Sequence, residues 1–259
     1  MFGAGLNTVY DWNITTEAGQ NGVPATPWPR GKVIGGSSAL NFLVWDRPTA
    51  RAELDAWEEL GATGWNWNLL YRTMKKSEKF YPPSSSQTQK MGFTPTASDY
   101  GRSGPIQVSY PLYISKQVSN WLTALKSLGI PTTTRMDGTN VGAALQPGDI
   151  NPANSTRSYS AAAYYWPNEG RKNLQVVSSA LVDKIIFPPS RNGAQVASGV
   201  SYSINGQQYT IPVKREVIVS AGTVFTPSVL ERSGIGKKSV LDAAGVKQLI
   251  DLPVGENLQ

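Results

Sequence analysis

The sequence predicts a mixed α/β fold made of two interleaved lobes, and three observations support that class. Apolar residues recur at helical spacing in the first two thirds of the chain, whereas the last third is rich in β-forming runs. Two of those runs flank Asn205-Gly206, a strong hairpin signal because both central residues of a type I′ turn need a positive φ. A run typical of a buried strand, residues 216–220, then precedes Ala221-Gly222 and a helical pattern, the order found in half of a nucleotide-binding βαβ unit.

Helices are predicted at four places before the β-rich region. Thr49 is placed to cap the first helix and Gly61 to end it. Gly129 ends the third, whose apolar face comprises Val118, Trp121, Leu122, Leu125 and Leu128. The predicted helices cover residues 48–60, the stretch from just after residues 64–67 to about Phe80, residues 118–128 and residues 157–166.

Strands dominate the predicted structure of the last third. A final helix is expected to start with Thr226 as N-cap and Pro227 at the first helical position. The predicted strands cover residues 174–177, 181–187, 196–204, 208–213 and 216–220. Segments rich in turn formers or without periodicity are predicted as irregular loops, at residues 1–30, 82–103 and 145–155.

Composition and charge exclude several classes of function. The 259 residues contain no cysteine and no histidine, which excludes disulfides, zinc–thiolate sites, thiol nucleophiles, histidine-ligated metals and a Ser-His-Asp triad within this sequence. The formal net charge is +6, but the Lys and Arg residues are scattered, which argues against a nucleic-acid surface. The sequence has no run of about 18 apolar residues and no signal-peptide pattern, so neither a membrane span nor a targeting segment is expected.

The clearest chemical motif is the run from Arg30 to Asn41, which contains Gly35-Gly36 followed by Ser37-Ser38. Tandem glycines let the backbone pass close to a ligand. The N–H groups and hydroxyls at a following helix start would suit an anion such as a diphosphate. An ordinary glycine-rich turn fits the same residues, so the residues alone leave both interpretations open.

Two longer stretches carry a family resemblance. Residues 31–41, with Trp45 and Pro48, resemble the first signature of the glucose-methanol-choline (GMC) oxidoreductases, although the acidic residue that closes it falls one place late, at Asp55. Residues 222–236 are similar to the second signature at every constrained position. The chain looks most like secreted fungal members of the aryl-alcohol oxidase or glucose oxidase type. Three shorter similar stretches extend the resemblance over nearly the whole chain, at residues 64–67, 157–162 and 255–259.

The resemblance implies part of an FAD-binding, Rossmann-like lobe together with a sheet-containing substrate lobe. Residues 1–80 would belong to the FAD-binding domain and residues 81–170 to the substrate-binding domain. Residues 171–259 would then return to the FAD-binding domain and include the β-hairpin.

The resemblance also places FAD against six residues, which are Ser37, Asn41, Phe42, Leu43, Val44 and Val182. Ser37 and Asn41 would contact the diphosphate side of FAD. The backbone of residues 42–44 would lie beside the flavin, and that of Val182 would meet the adenine. The residues alone also allow Ser37 as a helix cap, Asn41 as a locally satisfied polar group and Val182 as a core strand residue. No catalytic residue and no metal ligand is predicted in this sequence.

Two departures from the family pattern predict a fragment. In the family a Gly-x-Gly-x-x-Gly fingerprint lies ahead of the first signature, whereas Gly3 and Gly5 here precede no strand–helix unit. The family's catalytic His, paired with a second His or Asn, lies well beyond the second signature, and this sequence stops at Gln259. We therefore expect a fragment of an FAD-dependent oxidoreductase of CH–OH donors, inactive by itself. The alternative is a non-catalytic remnant or interaction module with the same partial fold.

For the intact parent, the resemblance implies a small-molecule alcohol as substrate and an electron acceptor such as oxygen. An aryl or aliphatic primary alcohol is favoured over a sugar, and neither nucleic acid nor membrane is expected as a partner. The sequence also contains two N-glycosylation sequons, Asn13-Ile14-Thr15 and Asn154-Ser155-Thr156. Together with the resemblance to secreted fungal proteins, the sequons favour an extracellular parent.

Overall fold

The computed structural model describes residues 5–19, 22–47, 50–139, 141–189 and 193–258. The chain divides into two compact units, Met1–Gln175 and Val176–Gln259. Helices and strands occur in both units, which confirms the mixed α/β class. The assignment of residues 1–80, 81–170 and 171–259 to functional domains stays a prediction.

The described part of the first unit combines four α-helices with two small sheets. The helices are α1 Arg51–Glu59, α2 Trp67–Ser77, α3 Ser85–Met91 and α4 Lys116–Ser127. The strands are the parallel pair β1 Glu78–Phe80 and β2 Ile106–Val108 and the antiparallel pair β3 Ile150–Asn151 and β4 Thr156–Arg157. Shorter turns are the 3-10 segments Gly36–Ala39, Ala97–Asp99 and Trp166–Asn168 and the π-helical segment Ala161–Tyr165.

An aromatic cluster forms the core of the first unit. Phe80 stacks on Tyr100 with ring centroids 4.1 Å apart, and Tyr110 meets Phe80 edge-on at 6.3 Å. Leu122 joins the cluster from α4. The buried members are Phe80, Met91, Phe93, Tyr100, Ile106, Val108, Tyr110, Leu122, Met136 and Ala143.

Three of the predicted helices form, with shifted ends. α1 and α4 occur where the sequence places them, and Gly61 and Gly129 follow them with φ of 106° and 80°. α2 ends at Ser77 and not at Phe80, because the next three residues pair as β1 with β2. Ala50 occupies the N-cap position of α1, and the predicted cap Thr49 lies outside the described residues.

The prediction of one long surface loop over residues 82–103 is wrong. This segment contains α3 and contributes Met91 to the core. Ser84 and Gln87 form a reciprocal capping box that starts α3. The Ser-x-x-Gln spacing therefore indicates the start of a helix, although the segment around it is rich in serine and proline.

Two neighbouring predictions need correction. Residues 145–155, predicted as a loop, contain β3. Residues 157–166, predicted as a helix, contain the end of β4 and the five-residue π-helical segment. The Ser158 N–H donates to the Asp149 carbonyl at 2.8 Å, which continues the β3–β4 pairing and keeps the chain extended where a helix was expected to start.

In the second unit a three-stranded antiparallel sheet is accompanied by two described helices. They are β5 Leu181–Ile186, β6 Gly199–Ile204, β7 Gln207–Pro212, α5 Gly222–Arg232 and α6 Lys238–Ala243, with sheet order β5-β6-β7. Asn205 and Gly206 have φ of 50° and 81°, which confirms the predicted hairpin. The Ile185 N–H donates to the Ser233 hydroxyl at 2.8 Å, which ties the end of α5 to β5.

Three predictions in the last third are wrong. Residues 216–220 form no strand and are not buried, since no described strand pairs with them and Ile218 is 78% exposed. Residues 174–177 likewise have no strand partner among the described residues. α5 begins at Gly222 with Ala221 as its N-cap, so Pro227 lies inside the helix, where it gives up one backbone hydrogen bond.

The described helices include none that is both long and apolar enough to cross a lipid bilayer. The described side chains also include no group of three or more Asp or Glu residues placed to hold a metal ion.

Candidate functional site

The candidate site in the first unit is the glycine-rich loop, residues 31–44. Gly35 and Gly36 have φ of 97° and 53°, values that favour glycine. A Cβ atom on Gly35 would lie 2.9 Å from the Ser160 Oγ atom, so this side of the loop is tightly packed. A Cβ atom on Gly36 would meet no described atom within 4 Å. The loop therefore has one packed side and one side open to a ligand.

The helix expected after Gly36 is a four-residue 3-10 turn. A turn of this length does not accumulate the dipole of an α-helix, so the expected contribution of a helix N-terminus is corrected. Anion binding at this loop would depend on its individual N–H and side-chain donors.

The two serines of the loop have different surroundings. Ser37 is exposed, and its Oγ atom accepts a hydrogen bond from the Gly31 N–H at 3.2 Å, which leaves the hydroxyl hydrogen available to donate. The Ser38 hydroxyl is half-buried and lies 2.5 Å from the Gly35 carbonyl and 2.8 Å from the Ser160 hydroxyl. Ser37 lies within the 3-10 turn and not at its N-cap. Of the two, Ser37 is therefore the serine that can meet a ligand.

Asn41 is half-buried and holds the end of the loop. Its Oδ1 atom accepts from the Leu43 N–H at 3.0 Å and from the Arg157 guanidinium. Because the carbonyl side of the amide is engaged within the chain, the Nδ2 group is the part of the amide that could donate to a ligand. Local satisfaction and ligand contact are thus compatible at Asn41.

The segment 42–44 exposes apolar side chains from an unusual backbone. Leu43 has a φ of 63°, a left-handed conformation that costs a leucine about 1–2 kcal/mol. Phe42 and Val44 on either side are 71% and 55% exposed. The Asp149 N–H donates to the Leu43 carbonyl at 3.1 Å. Asp149 directly precedes β3, so the strained residue is held by the hairpin that β3 and β4 form.

Arg157, at the end of β4, connects the hairpin to the glycine-rich loop. Its Nη2 atom donates to the Asn41 carbonyl at 2.5 Å, and its Nη1 atom donates to the Ser38 carbonyl at 3.3 Å. No role for Arg157 was predicted from the sequence. The signal that could have found it was the family-like stretch at residues 157–162.

Asp149 lies behind Arg157 and was also missed. Its side chain is 4% exposed, and its Oδ2 atom is 3.8 Å from Arg157 Nη1. Its Oδ1 atom is buried without a hydrogen-bond partner among the described atoms. Burial raises the pKa of the Asp149 carboxyl to about 6, against the opposing effect of the Arg157 charge.

Val182, the sixth predicted residue, lies on β5 in the second unit. Its side chain is 38% exposed, and its carbonyl accepts from Arg232 Nη2 at 3.3 Å. The pairing register of β5 with β6 shifts between Val182 and Lys184, as at a β-bulge. Val182 is therefore not a buried core residue, whereas its contact with adenine stays a prediction. The other five predicted residues lie together in the glycine-rich loop.

Comparison with known proteins identifies the class. The family of GMC oxidoreductases matches this chain over residues 12–259. The GMC oxidoreductase family protein Mala s 12 of Malassezia sympodialis is 36% identical over 266 residues, which cover 100% of this chain and 43% of that protein. The glucose oxidase of Penicillium chrysogenum is 35% identical over 233 residues, covering 87% of this chain and 38% of that protein. The chain belongs to the GMC oxidoreductase family, as the sequence motifs predicted.

Solved structures agree with that assignment. An FAD-dependent oxidoreductase from Chaetomium thermophilum superposes with a TM-score of 0.86 at 31% identity, over 95% of this chain and 42% of that chain. A fungal aryl-alcohol oxidase gives a TM-score of 0.85 at 30% identity, over 94% of this chain and 41% of that one. This chain thus spans about two fifths of the length of these relatives.

Proposed function

We propose that this chain supplies part of the FAD-binding surface of an oxidoreductase that acts on the CH–OH groups of alcohols. The observation that carries the proposal is the layout of the glycine-rich loop. The Ser37 hydroxyl and the Asn41 amide, whose oxygens accept hydrogen bonds within the chain, precede the exposed apolar side chains of Phe42 and Val44. Polar donors suit the FAD diphosphate, and an apolar strip suits the flavin ring.

The fit of FAD to this loop rests on the open side at Gly36, where a ligand can approach the backbone. Ser37 would donate its hydroxyl hydrogen, and Asn41 its Nδ2 hydrogens, to diphosphate oxygens. Residues 42–44 would keep water from the adjoining edge of the flavin. FAD, when bound, accepts the hydride of the alcohol carbon. No residue of this sequence is a histidine, so an imidazole base for the alcohol proton is not among its groups.

The names of the relatives support the reaction class. They include an aryl-alcohol oxidase and a glucose oxidase, which are named for an alcohol and a sugar, and both of these compounds carry hydroxyl groups. We favour an aryl or aliphatic primary alcohol as the substrate of the parent, with oxygen or another small molecule as electron acceptor. Scattered positive charge leaves nucleic acid without a supporting feature.

FAD titration of the purified chain tests the proposal. We expect weak binding and no alcohol turnover, because the sequence lacks the dinucleotide fingerprint and histidine. The change Ser37→Ala should raise Kd at least about tenfold further, since a hydrogen bond to a charged group contributes about 1.5–3 kcal/mol. Flavin fluorescence at high protein concentration measures both affinities.

The control is Ser239→Ala, which removes an exposed hydroxyl from α6. Equal effects of the two substitutions would contradict the placement of FAD at the loop. A yellow protein that purifies with stoichiometric FAD and oxidises alcohols would show that the chain is a complete catalyst.

A non-catalytic interaction module is the second candidate function, and the absence of histidine favours it. The transcript separates the two candidates. An in-frame continuation after Gln259 that encodes a histidine-containing segment supports the enzyme. A stop codon directly after Gln259 supports the module.

We also propose that the parent protein is extracellular and carries a glycan on Asn154. The residue is exposed in the turn between β3 and β4. Its Oδ1 atom accepts from the Thr156 hydroxyl at 2.7 Å and the Thr156 N–H at 3.2 Å, which leaves the Nδ2 group facing away for modification. Asn13, in the other sequon, is exposed as well.

Intact glycopeptide analysis of protein secreted from a eukaryotic host should find a glycan at Asn154, and Asn154→Gln should abolish it. The change Thr156→Ala should have the same effect, since the sequon requires the hydroxyl. Bare Asn13 and Asn154 in secreted protein would remove this support for an extracellular parent.

A further inference from the structure

The β3–β4 hairpin and the residues just before it contact the glycine-rich loop at three points. The Asp149 N–H holds the Leu43 carbonyl, and Val44 pairs with Gly148 in an isolated β-bridge. The Arg157 guanidinium spans the Ser38 and Asn41 carbonyls. The Asn41 side chain and the left-handed backbone of Leu43 are therefore both held by contacts with the hairpin.

The buried Asp149 carboxylate destabilises this hairpin. Its 3.8 Å separation from Arg157 is longer than a direct hydrogen bond, and its second oxygen is buried without a described partner. A buried carboxylate that is not fully hydrogen-bonded lowers the stability of the fold. The carboxylate is thus not explained by a contribution to folding.

We propose that Asp149 is a positioning residue that acts through Arg157 to hold Asn41 and Leu43 in the conformation that receives FAD. The negative charge behind the guanidinium keeps Arg157 directed at the Asn41 carbonyl. Removing the charge frees Arg157 and relaxes the loop. The inference rests on the proposed FAD function of the loop.

The protonation of Asp149 gives the interaction a pH dependence. Arg157 on β4 is the charged side chain that faces the carboxyl. From the glycine-rich loop, the neutral Asn41 side chain accepts from Arg157, and the Leu43 carbonyl accepts from the Asp149 backbone N–H. The pKa rises from 3.8 to about 6 on folding, so the protonated carboxyl stabilises the fold fully below pH 3.8. That stabilisation is lost as the pH rises to about 6. Above about pH 6 the ionised carboxylate lowers the stability of the fold, while its negative charge holds Arg157 against the loop.

Hydrogen exchange of the FAD-free chain tests the positioning role. In Asp149→Asn, the Leu43 amide should exchange about two- to fivefold faster at about pH 7.5, because one partly exposed charge contact is worth up to about 1 kcal/mol. The melting temperature should stay unchanged or rise, since a buried charge is removed. Asp242→Asn on α6 is the matched control and should leave Leu43 exchange unchanged. Unchanged Leu43 exchange in Asp149→Asn, or a lowered melting temperature, overturns the proposal.

FAD titration of the same proteins gives the second readout. The wild-type chain should bind FAD about two- to fivefold more weakly at about pH 5 than at about pH 7.5. Asp149→Asn should bind weakly at both pH values and lose this step, while Asp242→Asn should follow the wild type. Arg157→Lys keeps the charge but cannot donate to the Ser38 and Asn41 carbonyls at once as the guanidinium does. Its affinity for FAD should therefore lie between those of the wild type and Asp149→Asn.

The two readouts separate the two ideas. If the Leu43 amide loses protection in Asp149→Asn but no protein binds FAD, the positioning role stands and the proposed function fails. If FAD binds equally to all variants at both pH values, the positioning role fails and the proposed function stands.

Discussion

Replacing Glu78 with glutamine should lower the free energy of unfolding by about 3–5 kcal/mol, the cost of breaking a buried ion pair. Glu78 is fully buried, and its Oε1 atom accepts from the Gly101 N–H at 2.7 Å. Its Oε2 atom accepts from Trp45 Nε1 at 2.5 Å. A glutamine has one acceptor oxygen, so its NH₂ group would face one of these two donors.

The same substitution also leaves Arg47 without its countercharge. Arg47 Nη1 is 3.7 Å from Glu78 Oε1, and both side chains are buried. The Nε and Nη1 atoms of Arg47 have no hydrogen-bond partner among the described atoms, so the charge of Glu78 compensates them. Urea denaturation measures the difference, and Glu53→Gln on the exposed surface of α1 is the control. A loss below about 1 kcal/mol would refute a central role for this pair.

Gly101→Ala should destabilise the first unit by more than about 4 kcal/mol, a loss large enough to prevent folding in many domains. A Cβ atom at this position would lie 1.8 Å from the Lys75 carbonyl oxygen and 2.7 Å from the Glu78 carbonyl oxygen. These are backbone atoms of α2 and β1, which cannot move aside as a flexible side chain can. Circular dichroism melting of the purified protein measures the effect.

Gly170→Ala is the matched control for Gly101→Ala. The chemical change is the same, but a Cβ atom on Gly170 would meet no described atom within 4 Å. Its free energy of unfolding should stay within about 0.5 kcal/mol of that of the wild type. If the Gly101→Ala protein has the same melting temperature as the Gly170→Ala control, residues 75–78 are not packed as described.

The parts of the fold that the sequence predicts are those set by neighbouring residues. The turn at Asn205-Gly206 follows from the positive φ that two adjacent residues must adopt, and the structure has both. The strand β1 could not be predicted, because its partner β2 begins 28 residues later, at Ile106 opposite Glu78. Residues 216–220 show the converse case, since an apolar β-forming run becomes a strand only beside a partner.

The candidate site also has residues that the sequence predicts and residues that only the structure shows. The Gly-Gly-Ser motif identified the loop, and the family signature pointed to Ser37 and Asn41. Arg157 and Asp149 were missed because more than 100 residues separate them from the loop they hold, as the 116-residue interval from Asn41 to Arg157 shows. No spacing rule for helices or strands connects positions so far apart.

The long interval between Asn41 and Arg157 also orders events during protein synthesis. The hydrogen bonds between them span 116 residues, which a ribosome adding about 5–20 residues per second takes about 6–23 s to make. For most of that time the Leu43 carbonyl lacks the hydrogen bond that it accepts from the Asp149 N–H. The glycine-rich loop is therefore translated well before the β3–β4 hairpin that holds it, so it can take up its final conformation only after that hairpin has left the ribosome.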